Sequence, residues 1–537
     1  MVNTPSSLET LSRDMFETLA RTFPIACATD EFFYFPQIRL PEVEWEAWDD
    51  FSGDSVTETI RRLSAWEDAL DLLASHPSDP DEQIDIRRLQ KMARTLREQL
   101  SEVRFWETQP TFYLTLVCIG LAEALEAEDP AAKRKRTRNL PAFLDKAGCN
   151  LKRMPVLFRD LGLEMLSDTR DYLLSLQEIL PEIRPAFKAL ERFDKAIRQG
   201  STRDDFILPD ELLERIIRSH IHCDMDIREI NRTLDQEIRE MQEIMEQEAG
   251  NLLSKGASGY HLKGLKEALE KIPMPPLGKE GLLGLYRGAV DSLTEHCLEQ
   301  GVVPPDLPSS CPVRVAPMPS YLSAIRTASS YSIPPKHPPS GGTFYIVNTH
   351  MPDEAKQGYQ LEYRMLSAHE TYPGHHLLDS FRWGLERPCR RAVEQPIFYE
   401  GWACFSEEVM RLTGYFSGPA DRLLLAKRRL WRAIRGKVDI GLQTGSMDFE
   451  TAAGYLGKTG IGMKRALSSV RKYPLNPGYR LCYTLGIRRF LSLFQRYGKN
   501  HLKKFVHTVL SQGEINFADL EKILENINHR TPPAAGY

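Results

Sequence analysis

The stretch Ser367-Ala-His-Glu-Thr-Tyr-Pro-Gly-His-His-Leu-Leu378 carries the clearest chemical signal in the sequence. It holds three of the 13 histidines of the chain, and a glutamate follows the first of them directly. The zinc signature HExxH works because residues four apart share one face of a helix, so that both imidazoles reach one ion. Here position 373 is proline, where that signature has its second histidine. The stretch therefore indicates a helical metal site with a different spacing.

The spacing of the histidines limits which of them can bind the same ion. His369 and His376 are about 10 Å apart along a straight helix, which is too far for one zinc ion. Pro373 cannot donate the helical hydrogen bond and clashes with the preceding turn, and the glycine after it lets the backbone recover. A two-residue bulge at Tyr372-Pro373 would bring His375 to the position of the second ligand. We therefore rank His375 above His376, and the alternative is a pair of buried histidines that cap a helix without metal.

A carboxylate for a third ligand occurs downstream, in Phe398-Tyr-Glu-Gly-Trp-Ala-Cys-Phe-Ser-Glu407-Glu408. Glu400 follows the second histidine closely enough for one turn and a second helix to return it to the site. Two imidazoles and one carboxylate favour Zn²⁺ and leave a fourth position for water, as a catalytic site requires. Glu370 is then the candidate general base. Glu407, two helical turns after Glu400, is a candidate to hold a ligand histidine.

Outward from this segment, the chain divides into two predicted parts. Apolar residues recur every three or four positions from Ile86 to Val103 and from Ile227 to Met245, which predicts two amphipathic helices in a helical first part. Proline is dense from Val303 to about Ser340, and this excludes long helices and central strands there. We place the boundary at this stretch. Residues 1–300 are predicted to form a helical scaffold, and residues 301–537 the half that carries the candidate site.

One segment of the second half favours a strand. Thr343-Phe-Tyr-Ile-Val-Asn348 is rich in β-branched and aromatic residues and follows Gly341-Gly342. After Gln360 the pattern is helical again. The sequence therefore predicts a mainly α fold with a small β element near the candidate site.

Composition and charge exclude several classes of protein. Of the 537 residues, 42% are hydrophobic and 27% charged, which is typical of a globular chain, and a net charge of −5 argues against a general nucleic-acid binder. No apolar run reaches the roughly 18 residues of a membrane helix, and the N-terminus lacks the pattern of a signal peptide. Nine widely spaced cysteines without a CxxC pair predict reduced thiols in a cytoplasmic protein. The basic run at 133–138 is predicted to be a solvated loop or helix face.

The two chemical segments resemble those of a known bacterial family. His-Glu-Thr-Tyr-Pro-Gly-His-His is similar to the HExxPGHH signature of the domain-of-unknown-function-885 family, and Glu400-Gly-Trp-Ala-Cys-Phe-Ser-Glu407 is similar to its EGWA segment. The similarity continues through Arg435-Gly-Lys-Val-Asp-Ile-Gly441 and Pro477-Gly-Tyr-Arg-Leu-Cys-Tyr483-Thr-Leu-Gly486. By motif it covers roughly residues 310–530, whereas the helical first half carries no matching motif.

The resemblance implies a large helical fold similar to the gluzincin zinc peptidases, with a deep central cleft between two helical halves. The Gly-His-Ala-Leu and Glu-Gly-Phe-Ala segments of such enzymes match the segments around His375 and Glu400, which supports both as zinc ligands. Such enzymes also have an edge strand that pairs with the peptide substrate, for which Thr343–Asn348 is the candidate. A tyrosine from the C-terminal part often stabilises the oxyanion, and Tyr483 is the matching residue.

The chain departs from the family pattern at several positions. Leu378 and Tyr479 stand where the family usually has Gln, Gln443 stands where it has His, and Ser469 lies where it has Glu. The proposed metal ligands and Glu370 are retained. We therefore expect zinc to be kept and substrate recognition to differ from that of ordinary members.

These observations together predict a cytoplasmic zinc metallohydrolase that cleaves peptide bonds. A metal-bound water would be the nucleophile, and Glu370 would be the general base. The expected partner is a peptide or peptide-like small substrate, with no nucleic acid and no membrane, and the oligomeric state is left open. Two alternatives remain at this point: a catalytically silent relative that serves as a binding or scaffold protein, and a zinc hydrolase of a non-peptide or specialised natural-product substrate.

Overall fold

Helices make up most of the described chain in a computed structural model, which describes residues 7–40, 46–75, 77, 79–126, 129–253, 262–326, 328–347 and 353–529. The prediction of a mainly helical fold is confirmed. The helices described in the first 300 residues are α1 (Leu8–Thr22), α2 (Gly53–Ala74), α3 (Pro80–Glu98), α4 (Phe105–Thr108), α5 (Pro110–Glu126), α6 (Pro130–Asn150), α7 (Val156–Ser175), α8 (Arg184–Gln199), α9 (Asp210–Arg215), α10 (Ile227–Leu253), α11 (Leu262–Lys271) and α12 (Gly281–Glu299).

The second part continues the helical pattern around one small sheet. Its described helices are α13 (Leu307–Ser310), α14 (Ser320–Ser323), α15 (Asp353–Leu361), α16 (Tyr363–Glu370), α17 (His375–Gly384), α18 (Pro388–Ala392), α19 (Pro396–Leu412), α20 (Pro419–Gln443), α21 (Phe449–Gly457), α22 (Met463–Val470), α23 (Leu481–Tyr497), α24 (Leu502–Ser511) and α25 (Phe517–His529). Short segments also form one 3₁₀ turn at Pro181–Ile183 and another at Tyr473–Leu475.

Both predicted amphipathic helices are present. The apolar stripe from Ile86 begins in α3 and ends in a wider, π-helical turn at Gln99–Val103, which follows that helix without a break. The stripe from Ile227 lies in α10, where its apolar residues from Ile230 onward are mostly buried. The 3.6-residue periodicity of the sequence thus located these two elements correctly.

The described strands form two small sheets. β1 (Met154–Pro155) pairs in parallel with β2 (Thr202–Arg203). In the second sheet, β5 (Gly342–Ile346) lies between β3 (Val313–Pro317), to which it is parallel, and β4 (Ser330–Ser332), to which it is antiparallel.

The strand predicted at Thr343–Asn348 is present as β5, but its expected place at the sheet edge is wrong. It is the central strand, and Asn348 lies outside the described residues. The two strands that cover its edges come from the proline-rich stretch at 303–340. Short flanking strands tolerate proline because their outer side makes no ladder hydrogen bonds, and β3 accordingly ends at Pro317.

Hydrophobic clusters join the two predicted parts of the chain. One cluster packs Met241 and Met245 of α10 against Leu423 and Leu430 of α20. A buried carboxylate, Glu237 of α10, reinforces this contact through ion pairs of 2.8 Å and 2.7 Å to arginines of α20 and α23. The proposed division into residues 1–300 and 301–537 stays a prediction.

Three further expectations concern the surface and the thiols. Across the residues that the structure describes, no helix is both long and apolar enough to span a bilayer. All nine cysteines are free, and all except Cys149 are buried. The basic run at 133–138 lies on α6 and is mostly exposed, as predicted, but Arg136 is buried and pairs with Glu123 at 2.8 Å.

Candidate metal centre

A sharp corner between two helices sets the positions of the first two histidines. α16 ends at Glu370, and α17 begins at His375. The expected two-residue bulge within one helix is therefore wrong, because four residues leave the helical path. Proline accounts for the break, since it removes a helical hydrogen bond and disfavours helical backbone in the residue before it.

Gly374 makes the corner sterically possible. A Cβ atom at this position would lie 1.9 Å from the carbonyl oxygen of His369 and 2.5 Å from that of Ala368. Real Cβ atoms do not approach backbone oxygens so closely, so only glycine fits here. The start of α17 can thus pack directly on the end of α16.

Helix α19 stabilises the corner between α16 and α17 through two hydrogen bonds to its backbone. The indole nitrogen of Trp402, which is fully buried, donates a hydrogen bond of 3.0 Å to the carbonyl oxygen of Pro373. The Ser406 hydroxyl donates to the carbonyl oxygen of Ala368 at 3.1 Å. Because α19 also carries Glu400, these contacts fix that carboxylate relative to both histidines.

The structure brings His369, His375 and Glu400 together. One potential ligand atom from each lies within 4.8 Å of the others, and all three residues are buried. Oε2 of Glu400 is 3.8 Å from Nε2 of His369 and 3.6 Å from Nε2 of His375. Both distances exceed a hydrogen bond, so the three groups surround a gap.

The donor set and its spacing fit a zinc ion. Ligands bound at about 2.1 Å around a tetrahedral ion lie about 3.4 Å from one another, close to the two separations above. Burial lowers the pKa of His369 to about 4, against the opposing effect of Glu407. Burial would raise the pKa of Glu400, but His375 and the other polar groups around it lower that pKa to about 2. A neutral imidazole and an ionised carboxylate are the forms that bind metal.

His376 points away from this gap. Its Nδ1 lies 2.9 Å from the Tyr331 hydroxyl, and its Nε2 lies 3.0 Å from the carbonyl oxygen of Cys311 and 3.1 Å from the Tyr372 hydroxyl. Both ring nitrogens therefore have partners in the protein. Of the two adjacent histidines, His375 faces Glu400, which is the order in which the sequence ranked them.

Glu407 orients His369 as the sequence predicted. Its Oε1 is 3.2 Å from Nδ1 of His369, which leaves Nε2 of that ring facing the gap. The same carboxylate also accepts hydrogen bonds from Arg428 at 3.0 Å and Arg432 at 2.6 Å, and these four buried residues form one network. The two arginines, one helical turn apart on α20, are site residues that the sequence interpretation missed.

Glu370 is held at the site by the edge of the small sheet. Its Oε2 accepts a hydrogen bond of 3.1 Å from the backbone N–H of Tyr331, in the edge strand β4. The pKa of Glu370 is raised to about 7. Burial is the main cause, the charge of Glu400 adds to the rise, and His375 opposes it. Strand β4, and not β5, is therefore the strand in contact with the candidate base.

Two tyrosines lie beside Glu400, one in the turn before α23 and one in the first turn of that helix. The hydroxyl of Tyr479 donates a hydrogen bond of 2.9 Å to Oε1 of Glu400. Burial raises the pKa of the predicted residue, Tyr483, and the Glu400 carboxylate raises it further, so its hydroxyl keeps its proton. Tyr479 is one of the departures from the family pattern, and the sequence does not predict its contact with a candidate ligand.

Tyr399 and Asp379 support His375 from the opposite side. The Tyr399 ring stacks on the imidazole with ring centroids 4.2 Å apart, and its hydroxyl donates to Oδ2 of Asp379 at 3.1 Å. Asp379 follows His375 by one helical turn, and Tyr399 precedes Glu400 directly. These spacings were visible in the sequence, but only the fold shows that the two side chains meet.

The other departures from the family pattern lie in different surroundings. Leu378 and Gln443 are buried, and neither amide atom of Gln443 has a hydrogen-bond partner among the described residues. The Ser469 hydroxyl is 3.5 Å from that of Tyr473, whose ring packs against Arg480. The structure gives no reason for the substitution at Leu378.

Among the solved structures that share this fold are two bacterial proteins. One is a "putative lipoprotein of unknown function" from Shewanella oneidensis, with 17% identity, a TM-score of 0.75, and coverage of 97% of this chain and 100% of that one. The other is a "putative lipoprotein" from Colwellia psychrerythraea, with 18% identity, a TM-score of 0.78, and coverage of 99% and 100%. At this identity the likeness shows the fold alone.

Comparison at the sequence level gives the family. No curated protein matches the chain. A family model described as "Bacterial protein of unknown function (DUF885)" matches residues 41–524, which is nearly the whole chain and includes every residue of the candidate metal centre. The chain therefore belongs to this bacterial family of unknown function.

Proposed function

We propose that the protein is a zinc-dependent hydrolase that cleaves peptide bonds. The observation that carries this proposal is the convergence of His369, His375 and Glu400 around a buried gap beside Glu370. These three side chains would hold the ion. A zinc ion in such a site supplies Lewis acidity, which polarises a carbonyl group and makes a water molecule more acidic.

Glu370 would act as the general base. Its Oε2 is occupied by the Tyr331 N–H, whereas Oε1 has no hydrogen bond from the described residues and can accept a proton from water. A pKa near 7 lets the carboxylate take this proton and later deliver it to the leaving amine. The backbone hydrogen bond keeps the carboxylate in place during both transfers.

Tyr483 would stabilise negative charge on the substrate. Its protonated hydroxyl can donate a hydrogen bond to the carbonyl oxygen as that oxygen becomes an anion. We further propose that a cleft between the two helical halves admits a peptide or peptide-like substrate, as in gluzincin peptidases, and that the protein works in the cytoplasm.

Metal content and turnover test the proposal directly. Purified protein reloaded with zinc after chelation should contain one zinc per chain by elemental analysis, and Glu400→Ala should contain much less. Glu370→Gln should keep its zinc and lose peptide cleavage by about 10²- to 10⁴-fold, because the proton acceptor is gone. The control is Glu386→Gln, whose carboxylate is 92% exposed. Full activity of Glu370→Gln would refute the assigned base.

A catalytically silent binding protein is the second candidate. The hydrogen bond from Tyr479 to Glu400 favours this candidate. Other members of the family usually have glutamine at that position, so the surroundings of the proposed ligand differ from theirs. A zinc-loaded protein that cleaves no member of a broad peptide library would support this candidate, or a zinc hydrolase of a non-peptide bond. Turnover of any peptide would exclude the silent relative.

A further inference from the structure

Two arginines near the candidate metal centre, Arg435 and Arg480, form no direct ion pair with a carboxylate of the described residues. Helix α20, which carries Arg435, also carries Arg428 and Arg432, and both of these bind the Glu407 carboxylate. By contrast, the part of the chain that the structure describes offers no carboxylate within ion-pair distance of Arg435 or Arg480. Both side chains are half-buried, and the Nε atom of each is fully buried without a hydrogen-bond partner.

Two carboxylates that influence these arginines, Asp439 and Glu400, accept hydrogen bonds from other donors. The two oxygens of Asp439 accept the backbone N–H groups of Gly478 at 3.2 Å and of Arg480 at 3.0 Å. Oε1 of Glu400 accepts the Tyr479 hydroxyl, and its Oε2 faces the histidines. Both acids act on the arginines through their charge, since Arg480 and Arg435 lower the pKa of Asp439 and Glu400 raises the pKa of Arg435, but neither acid forms a direct ion pair with either guanidinium group among the described residues.

Aromatic rings hold both guanidinium groups in place. The Cζ atom of Arg435 lies 4.3 Å from the ring centroid of Trp431 and 4.8 Å from that of Tyr483. The Cζ atom of Arg480 lies 4.9 Å from the Tyr473 ring and 5.5 Å from the Tyr479 ring. Stacking of this kind fixes the plane of a guanidinium group but satisfies none of its N–H donors.

The same rings connect the arginines to the candidate centre. Tyr479 lies against Arg480 and its hydroxyl donates a hydrogen bond to Glu400, and Tyr483 lies against Arg435. A cationic pair with unused donors thus borders the site where a bond would be cleaved. Buried donors without partners cost free energy, and a ligand that supplies acceptors at this site would offset that cost.

We propose that Arg435 and Arg480 bind a carboxylate of the substrate, an inference that rests on the proposed function for the identification of that substrate as a peptide. A planar guanidinium group matches a carboxylate with two parallel hydrogen bonds. The carboxylate is either the C-terminal group of the peptide or an acidic side chain near the cleaved bond. The protein would accordingly discriminate against neutral peptides.

Binding of matched peptides tests this inference without turnover. The zinc-loaded Glu370→Gln chain is titrated calorimetrically with three N-acetylated, alanine-based hexapeptide probes. The first has a free C-terminus, the second is its C-terminal amide, and the third is a pool of amides with one glutamate at each position in turn. At least one carboxylate form should bind about tenfold or more tightly than the neutral amide, and the form that does so identifies the source of the carboxylate.

Substitutions then assign the preference to the two arginines. In the same background, Arg435→Gln and Arg480→Gln should each weaken the carboxylate form by about ten- to a hundredfold and leave the neutral amide unchanged. Arg435→Lys keeps the positive charge and should lose less than Arg435→Gln. The matched control is Arg496→Gln, which removes a guanidinium group 5.4 Å from the Tyr497 ring, outside the site. Thermal unfolding confirms that each variant is folded.

Two results would overturn the inference. One is equal affinity for neutral and acidic probes, including no measurable affinity for any of them. The other is a carboxylate preference that survives both Arg435→Gln and Arg480→Gln. Failure of the proposed function has a different signature. An arginine-dependent preference in a wild-type protein that cleaves neither these probes nor any member of a broad peptide library would argue against the proposed peptidase and leave the carboxylate site standing.

Discussion

At the scale of single residues, Gly374 has the strictest requirement in the candidate centre. Its missing side chain lets the start of α17 touch the last carbonyl groups of α16. Any other residue would push the two helices apart, and with them His369 and His375. The geometry of the histidine pair therefore requires that position 374 has no Cβ atom.

We expect Gly374→Ala to destabilise the protein by about 3 kcal/mol, the upper end of the usual range for overpacking, because backbone oxygens cannot yield as flexible side chains do. The variant should also lose its zinc site. Gly384→Ala is the matched control, since Gly384 is the last residue of α17 and its added Cβ would meet nothing within 4 Å. Chemical denaturation and zinc stoichiometry measure both effects. A Gly374→Ala variant as stable as the control would contradict this explanation of the corner.

The carboxylate of Glu407 allows a second test at this scale. Glu407→Gln should weaken zinc binding by about ten- to a hundredfold, because it removes the negative charge that orients His369. Glu408→Gln is the control, since the neighbouring carboxylate pairs with Arg411 and Arg429 and not with a histidine. Zinc affinities from competition with a chromogenic chelator compare the two. Equal affinities would show that Glu407 has no part in metal binding.

The types of residue in the sequence predicted more of the candidate site than the spacing between residues did. The sequence predicted that His369, His375 and Glu400 would come together, as they do, because only a few residue types are candidates for metal binding. It missed Tyr479 and Arg432, which are ordinary residues until the fold places them beside Glu400 and Glu407. Partners from distant segments leave no local pattern in a sequence.

At the scale of elements, the contact between α19 and α23 positions Glu400. The two helices approach so closely that a Cβ on Gly401 would lie 2.5 Å from Cα of Gly486. Glu400 is the neighbour of this contact on one helix, and Tyr483 lies one turn before it on the other. The pair of glycines thus sets the distance between the candidate ligand and the tyrosines.

Gly486→Ala should separate these helices, since its Cβ would lie 2.3 Å from the carbonyl oxygen of Ile397. We expect a loss of about 1–3 kcal/mol in the free energy of unfolding and weaker zinc binding. Gly454→Ala, on α21, provides the control because its Cβ would meet nothing within 4 Å. If Gly486→Ala unfolded at the same denaturant concentration as the parent, close helix packing would not be what holds Glu400.

Helices were easier to predict than strands, for a physical reason. The stripes in α3 and α10 repeat over many residues, and the repeat depends on the helix alone. Strand β5 was also located, but its neighbours were not, because the position of a strand within its sheet depends on pairing between distant segments. At the corner before His375, the sequence predicts a two-residue bulge, whereas four residues leave the helical path. A proline indicates that a helix is interrupted, but it does not determine how many residues the interruption contains.

At the scale of the whole molecule, burial is continuous across the predicted boundary. Hydrophobic residues of α10 and α20 share one cluster, although about 170 residues separate these helices in the chain. Proline density correctly marked a change in local structure around residues 303–340. It says nothing about packing, because packing depends on side chains that a linear pattern does not bring together.

The reactivity of the cysteine thiols tests the burial of side chains throughout the molecule. In the native protein, iodoacetamide should label Cys149 alone, because the other eight cysteines are buried, and all nine should be labelled after denaturation without reductant. Burial raises the pKa of Cys118 and Cys404 to about 12, which suppresses the reactive thiolate further. Intact-mass measurement counts the adducts, and Cys149→Ser should remove the native one. Fewer than nine adducts in the denatured chain would reveal a disulfide.

The corner between α16 and α17 also affects how related sequences can vary. Within one continuous helix, two ligands must keep an interval fixed by the helical repeat. Here each histidine sits at the terminus of its own helix, so the interval between them is set by the linker that joins the two. Homologues could lengthen or shorten that linker and still present the same pair of imidazoles, provided that a residue without a side chain remains where the second helix begins.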